Sequence, residues 1–337
     1  MLVCTLALGG NVTAKATVSE DATTSSMLVP VGKTVGIKLF ADGVMVVALS
    51  ELSETSVSPA SQAGLRDGDI ITTVNSVEIT SAEQFIKSVT DCNGNGLDVT
   101  YTRDGEEYST VIKPVMAKNG EYKIGAWIRD SMAGIGTVTF YDPATGVFGA
   151  LGHGINDVDT GILMPLQKGS IMRSSVAAVN KGSAGEPGEL RGEFELTKDL
   201  GSLYTNSDVG VFGVVYDNNE WQGTAVPVAK SEEIVAGDAT ILANTSGESV
   251  CEYQIEILKV DTECTNNRNM LIKITDERLI SETSGIVQGM SGSPILQDGK
   301  IIGAVTHVLV NDPQMGYGVF IENMLDAAYE QEQQAAS

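Results

Sequence analysis

The stretch Gly289-Met290-Ser291-Gly292-Ser293-Pro294 decides how the chain is read, together with its continuation Ile295-Leu-Gln-Asp-Gly-Lys-Ile-Ile-Gly-Ala-Val-Thr-His307. Gly289 and Gly292 flank a serine at a turn where no side chain holds a substrate carbonyl away from the backbone. The amides of Gly289 and Ser291 can converge on one point, where the oxyanion of a tetrahedral intermediate forms. Pro294 ends the turn, Asp298-Gly299 signals a hairpin, and residues 301–308 form an apolar run of strand type.

This layout resembles the Gly-Asp-Ser-Gly-Gly-Pro region of trypsin-like serine peptidases. A serine hydroxyl is a weak nucleophile at neutral pH unless an imidazole takes its proton. The chain has two histidines. His153 lies in Gly-Ala-Leu-Gly-His-Gly-Ile, just after the strand–turn–strand pattern of residues 137–148, and is the candidate general base. His307 lies within an apolar strand and reads as a packed histidine near the wall of the specificity pocket. The third member of a triad would orient the imidazole and fix its tautomer. Asp276, fifteen residues before Ser291, and Asp208, in Thr-Asn-Ser-Asp-Val-Gly-Val, both have suitable positions, and the residues alone leave the choice open.

Upstream, residues 58–75 alternate strand and turn signals. A short amphipathic helix then begins at Ser81, and a hairpin turns at Asp104-Gly105. In that order these elements resemble a bacterial PDZ domain. Its peptide-binding strand is expected at Val35-Gly36-Ile37, whose amides would hold a peptide C-terminus added as an extra strand.

Taken together, the motifs resemble the stage IV sporulation protein B family, PDZ-containing serine peptidases of endospore-forming bacteria. The likeness runs over roughly residues 27–328 and includes Leu28-Val-Pro-Val-Gly-Lys-Thr-Val-Gly-Ile-Lys-Leu39 and the 304–313 segment. It implies His153, Asp276 and Ser291 as catalytic residues, with Asp208 second to Asp276. The amides of Gly289 and Ser291 would form the oxyanion hole. It further implies cleavage of a membrane-associated sporulation regulator, self-cleavage, and a location in the space between forespore and mother-cell membranes. Two other readings are a PDZ binding protein with little peptidase activity and an HtrA-like quality-control protease. PDZ-before-peptidase order disfavours the latter.

Low aromatic content, 37 glycines and abundant Val, Ile and Thr argue for a mainly β chain with many turns. The expected layout is a PDZ domain at 27–116, then a trypsin-like double β-barrel with a C-terminal helix at 117–337. Residues 1–26 read as a residual export signal or anchor plus a polar linker, or, for the apolar start, as an ordinary first strand. A net charge of −23 makes nucleic acid an unfavourable partner, because phosphates are repelled. No cofactor or metal site is expected, since the four cysteines form no Cys-x-x-Cys pair and histidines are few. Cys251 and Cys264 flank a strand pair and could bridge in an oxidising compartment. Gly285, six residues before Ser291, stands where a trypsin-like enzyme keeps its pocket-base residue, so no preference for Lys or Arg at the cleaved bond is expected.

Overall fold

The computed structural model describes residues 27–52 and 57–335. The expected export segment and linker, with Cys4, therefore lie outside the described residues. The chain opens with β1 (Met27–Pro30) and β2 (Thr34–Leu49). There follow α1 (Pro59–Gln62), β3 (Ile70–Val74), β4 (Val77–Glu78), α2 (Ala82–Thr90), β5 (Leu97–Arg103), β6 (Glu106–Ile112), β7 (Val115–Met116) and β8 (Tyr122–Lys123). The first barrel continues with β9 (Ala126–Tyr141), β10 (Val147–Ala150), β11 (Lys168–Asn180), β12 (Glu189–Ser207), β13 (Gly210–Val215) and β14 (Val226–Pro227). The second contains β15 (Gly237–Ser246), β16 (Ser249–Val260), β17 (Met270–Ile274), α3 (Glu277–Thr283), β18 (Pro294–Gln297), β19 (Lys300–Leu309) and β20 (Asp312–Phe320), and the chain closes with α4 (Ile321–Ala335).

Two antiparallel rings result. In the first, the pairings run β9–β10–β13–β12–β11–β2 and return from β2 to β9. Alternate residues point inward, so Val35, Ile37, Val138, Phe148, Ile171 and Val211 meet in one buried cluster. The second ring, β15-β16-β17-β20-β19-β18, closes around Ile241, Ile255, Ile272, Ile295 and Val305. Met324 and Leu325 of α4 pack where Phe140 and Phe212 of the first barrel approach Ile301 and Val319 of the second. The mainly β double barrel with a C-terminal helix is thus the fold that forms.

The PDZ-like unit does not simply precede the double barrel. β2 and β9 are each sixteen residues long, and a bulge between Phe40 and Met45 divides their pairing. On one side of the bulge Thr34↔Thr137 through Phe40↔Ser131 belong to the first barrel. On the other, Met45↔Arg129 through Leu49↔Ala126 belong to a second core, where Val46 meets Leu65, Phe85, Leu97 and Ile112. The PDZ unit is therefore an excursion between two strands of the first barrel, and the boundaries at 27 and 116 do not separate two bodies. Val35, Gly36 and Ile37 fall on the barrel side. Each is paired with β9 on one edge and β11 on the other, which leaves no free edge for a peptide strand.

Within the PDZ unit, the Ser81 hydroxyl accepts from Gln84 N at 3.2 Å and starts α2 where the sequence places it. The fully buried Asp69 carboxylate meets Arg103 Nε and Nη2, both at 2.7 Å, and the guanidinium also donates to the Gly64 carbonyl and lies over Tyr101 and Tyr108. Cys251 and Cys264 do not bridge, and Cys264 Sγ donates to Asn266 Oδ1 at 2.8 Å. Arg103→Ala strands a buried carboxylate, so the PDZ unit should lose about 3 kcal/mol, near the low end for breaking a buried pair because Arg103 is partly exposed. Urea unfolding read by amide exchange in β3 and β5 checks this, and a loss below about 1 kcal/mol would refute it.

Candidate active site

The serine turn lies between α3 and β18 and is gripped from both barrels. Within the second barrel, Gly292 N donates to the Val305 carbonyl and Ser293 N to the Met290 carbonyl. From the first barrel, Thr137 N donates to the Ser291 carbonyl at 3.1 Å, and Thr137 Oγ1 donates to the Gly289 carbonyl at 2.7 Å. Gly289 and Gly292 both take φ +97°, and a Cβ on Gly292 would run into the Thr137 carbonyl, so the turn requires glycine there. Among the described residues no acceptor is bonded to the amides of Gly289 or Ser291. These are the two donors the sequence assigns to an oxyanion hole.

His153 follows β10 on a loop in which Leu151 and Gly152 both have positive φ, +71° and +68°. The loop crosses to the second barrel, where Gly152 rests against Thr306, Ala304 and Val319. His153 Nδ1 lies 2.8 Å from the Gly154 carbonyl. A carbonyl only accepts, so this hydrogen bond puts the proton on Nδ1 and leaves Nε2 as the lone-pair nitrogen. Ser291 Oγ donates to the Thr306 carbonyl at 2.6 Å. His307, the residue after Thr306, presents its ring to His153 with centroids 5.0 Å apart and planes tilted by 39°. Burial holds His153 below its ordinary range, against an upward contribution from the Gly154 carbonyl. Desolvation of the imidazole, then the neighbouring His153 ring and the Arg268 guanidinium, bring His307 down to about 4. Both imidazoles are neutral at pH 7.

Ser291, His153 and His307 line one cleft of about 480 Å³. Its other walls include Ile37, Ile135, Leu151, Ile286, Val287 and Val308, and among the described residues no Asp, Glu, Lys or Arg lines it. His307 is thus at the cleft, as the sequence expects, but beside the candidate base. Gly285 is not the pocket floor: it takes φ +142° against the backbone of Pro313, and Ile286 and Val287 form the wall.

The structure gives Asp276 a different job from the third member of a triad. Its carboxylate caps α3 by accepting from Arg278 N at 2.9 Å, and it is held by Arg278 Nε and Nη2 and by Gln254 N. The Arg278 guanidinium brings it down to about 2. Asp208 is exposed at the turn between β12 and β13, and neither aspartate lines the cleft. Thr137 is the residue that the sequence does not reveal, because its partner Gly289 is 152 positions away.

A second groove, of about 540 Å³, runs between α2 and the start of β9. Phe85, Ile86 and Val89 form one wall, and Lys123-Ile124-Gly125-Ala126-Trp127 the other. At this end β9 pairs with β2 along one edge and faces α2 along the other.

Two closed barrels with a serine turn and a histidine loop at their seam, plus a PDZ unit, give the chain the architecture of the PDZ-containing serine peptidases. The chain belongs to the SpoIVB peptidase S55 family, whose model matches residues 120–325, and a PDZ-domain model matches residues 56–91. A 53-residue stretch is 43% identical to the zinc metalloprotease RasP of Shouchella clausii, covering 16% of this chain and only 13% of that protein's length. Among solved structures, the HtrA-type protease AlgW with a decapeptide is 14% identical over 66% of this chain and 56% of its own, at TM-score 0.38. The active form of the Rv3671c protease of M. tuberculosis is 12% identical over 60% and 75%, at TM-score 0.32. The PDZ domain of an SdrC-like protein from Listeria monocytogenes is 26% identical over 26% and 87%, at TM-score 0.22. At such scores the architecture rests on the strand pairings, not on these likenesses.

Asp276→Ala should cost about 1 kcal/mol through loss of the α3 cap. The folded carboxylate titrates near 2, below its unfolded value of about 3.9, so its stabilisation is complete above pH 4 and fades as pH falls from about 4 to 2. Thermal melts of parent and variant should converge across that window, and a constant gap would refute the assignment.

Proposed function

We propose that this peptidase works through an acyl-enzyme with Ser291 as nucleophile and His153 as base, and that it cleaves a membrane-associated regulator of sporulation as well as itself. The observation that carries the mechanism is the meeting of Ser291, from the second barrel, and His153, from the first, in a cleft without fixed charge beside two unpaired amides. Substrate binding turns Ser291 Oγ from the Thr306 carbonyl towards His153 Nε2. The hydroxyl oxygen bonds to the substrate carbonyl carbon while Nε2 takes its proton, and the carbonyl electron pair becomes an oxyanion held by the Gly289 and Ser291 amides. The intermediate collapses, the C–N bond breaks, and the amine leaves with the proton from Nε2. Water then hydrolyses the ester with the same imidazole as base.

Family membership supports a sporulation substrate, reached by export to the space between the two membranes. No helix among the described residues is long and apolar enough to cross a membrane. The groove beside α2 is where a peptide C-terminus would add to the free edge of β9, with the segment Ile124-Gly125-Ala126 at its end. A second reading, a PDZ regulatory protein with little activity of its own, is favoured by the Ser291 hydroxyl resting on Thr306. Degradation of unfolded casein would instead indicate quality control.

Incubated alone and followed by intact mass, the protein should give time-dependent fragments that Ser291→Ala does not. Fragments from both would remove Ser291 from its role. Apolar residues should precede the cleaved bonds, and selective cleavage after Arg would contradict the neutral cleft. Because burial lowers His153, the base stays unprotonated to lower pH. The acid limb of kcat/KM should then fall below pH 6.5, and a limb above 7 would refute this.

A further inference from the structure

The structure leaves His153 without a carboxylate partner among the described residues, so something else must orient it. Its Nδ1 proton goes to the Gly154 carbonyl at 2.8 Å. That carbonyl shares a single planar peptide group with the Ile155 N–H, and this N–H donates to Asn206 Oδ1 at 2.9 Å. Asn206 Nδ2 returns a bond to the Ile155 carbonyl at 3.0 Å and a second to the Met164 carbonyl at 2.8 Å. The amide therefore grips the residue from both sides, as a neighbouring strand would. Asn206 is itself fixed near the end of β12, opposite Val211 of β13. Gly154 is confined between Leu163 and the Ser207 carbonyl, where a Cβ would collide with Leu163.

We infer that Asn206 is the positioning residue for the base of this peptidase, acting through the Gly154–Ile155 peptide in the place a triad carboxylate would take. The chain of bonds runs Asn206 Oδ1, Ile155 N–H, Gly154 C=O, His153 Nδ1–H. Each member does part of what an orienting acid does. The carbonyl fixes the tautomer that leaves Nε2 free to accept. The asparagine fixes the plane of the carbonyl. Accepting the Ile155 proton also polarises the peptide and puts more negative charge on the Gly154 oxygen as His153 becomes an imidazolium. The relay is neutral throughout, which suits a cleft lined by no Asp, Glu, Lys or Arg. Asparagine serves better than aspartate, since two of the three bonds need its NH₂ as donor to main-chain carbonyls.

The inference rests on His153 acting as base, and its test reads the imidazole directly so that the two can fail separately. Protein labelled with ¹⁵N-histidine carries two imidazoles, and His307→Gln assigns them. At pH 7.5 the parent should show His153 protonated on Nδ1, and an Nε2–H tautomer in the parent overturns the inference with no variant needed. In Asn206→Ala the tautomers should mix, and kcat should fall roughly 10²-fold with KM within about 3-fold. That is less than the ~10⁴ lost when a triad carboxylate is neutralised, because the Gly154 carbonyl remains. Asp208→Asn and Asp276→Asn should leave the tautomer unchanged, and a shift in either would assign the role to that carboxylate instead. A folded Asn206→Ala with parental tautomer and kcat overturns the inference. Parental tautomer behaviour as inferred, in a protein that cleaves nothing, would keep the relay and discard the peptidase mechanism.

Discussion

Thr137 sits at the seam of the two barrels, fully buried in β9, and its main chain and hydroxyl hold the serine turn of the opposite barrel at two carbonyls. A turn with two glycines at positive φ has little conformational preference of its own. What fixes the turn is that the carbonyls of Gly289 and Ser291 are bonded to the first barrel. The third contact is steric, the Thr137 carbonyl filling the space a side chain at Gly292 would need. The site exists only where the barrels touch, and the histidine loop crosses the same seam through Gly152.

Charge distribution follows the same division. The chain carries a formal charge of −23, yet none of its Asp, Glu, Lys or Arg side chains lines the cleft among the described residues. Acidic surface aids solubility and leaves the chemistry to neutral groups. Desolvation disfavours the imidazolium in both His153 and His307, so the resting site holds two neutral rings and the hydroxyl of Ser291. An imidazole kept neutral by its surroundings can accept a proton, which is the state the proposed mechanism needs.

β9 also joins the two units of the chain. At its start it walls the PDZ groove, and Asp130 Oδ2 accepts from Ala82 N at the first turn of α2, at 2.8 Å. Seven residues later, the same strand holds the serine turn through Thr137. A peptide added along the open edge would lie on the strand that holds the serine turn, and the bulge opposite, between Phe40 and Met45, is where that strand pair passes from one core to the other.

Local chemistry was legible in the sequence wherever it depends on neighbours in the chain. The glycines of the serine turn, the Ser81 cap and the Asp298-Gly299 hairpin all read correctly, because turn and cap geometry is set within a few residues. Ser291 and His153 stood out because a serine between glycines and a scarce histidine on a glycine loop limit the chemistry, and the structure brings both to one cleft. The strand at Val35-Gly36-Ile37 also read correctly as a strand, but its neighbours β9 and β11 lie roughly 100 and 135 residues onward, and alternation carries no record of which strand lies alongside. The same limit hid the partners of Asp276, Thr137 and Asn206. Residue type states what a group can donate or accept, and only the closing of the barrels decides which group it meets.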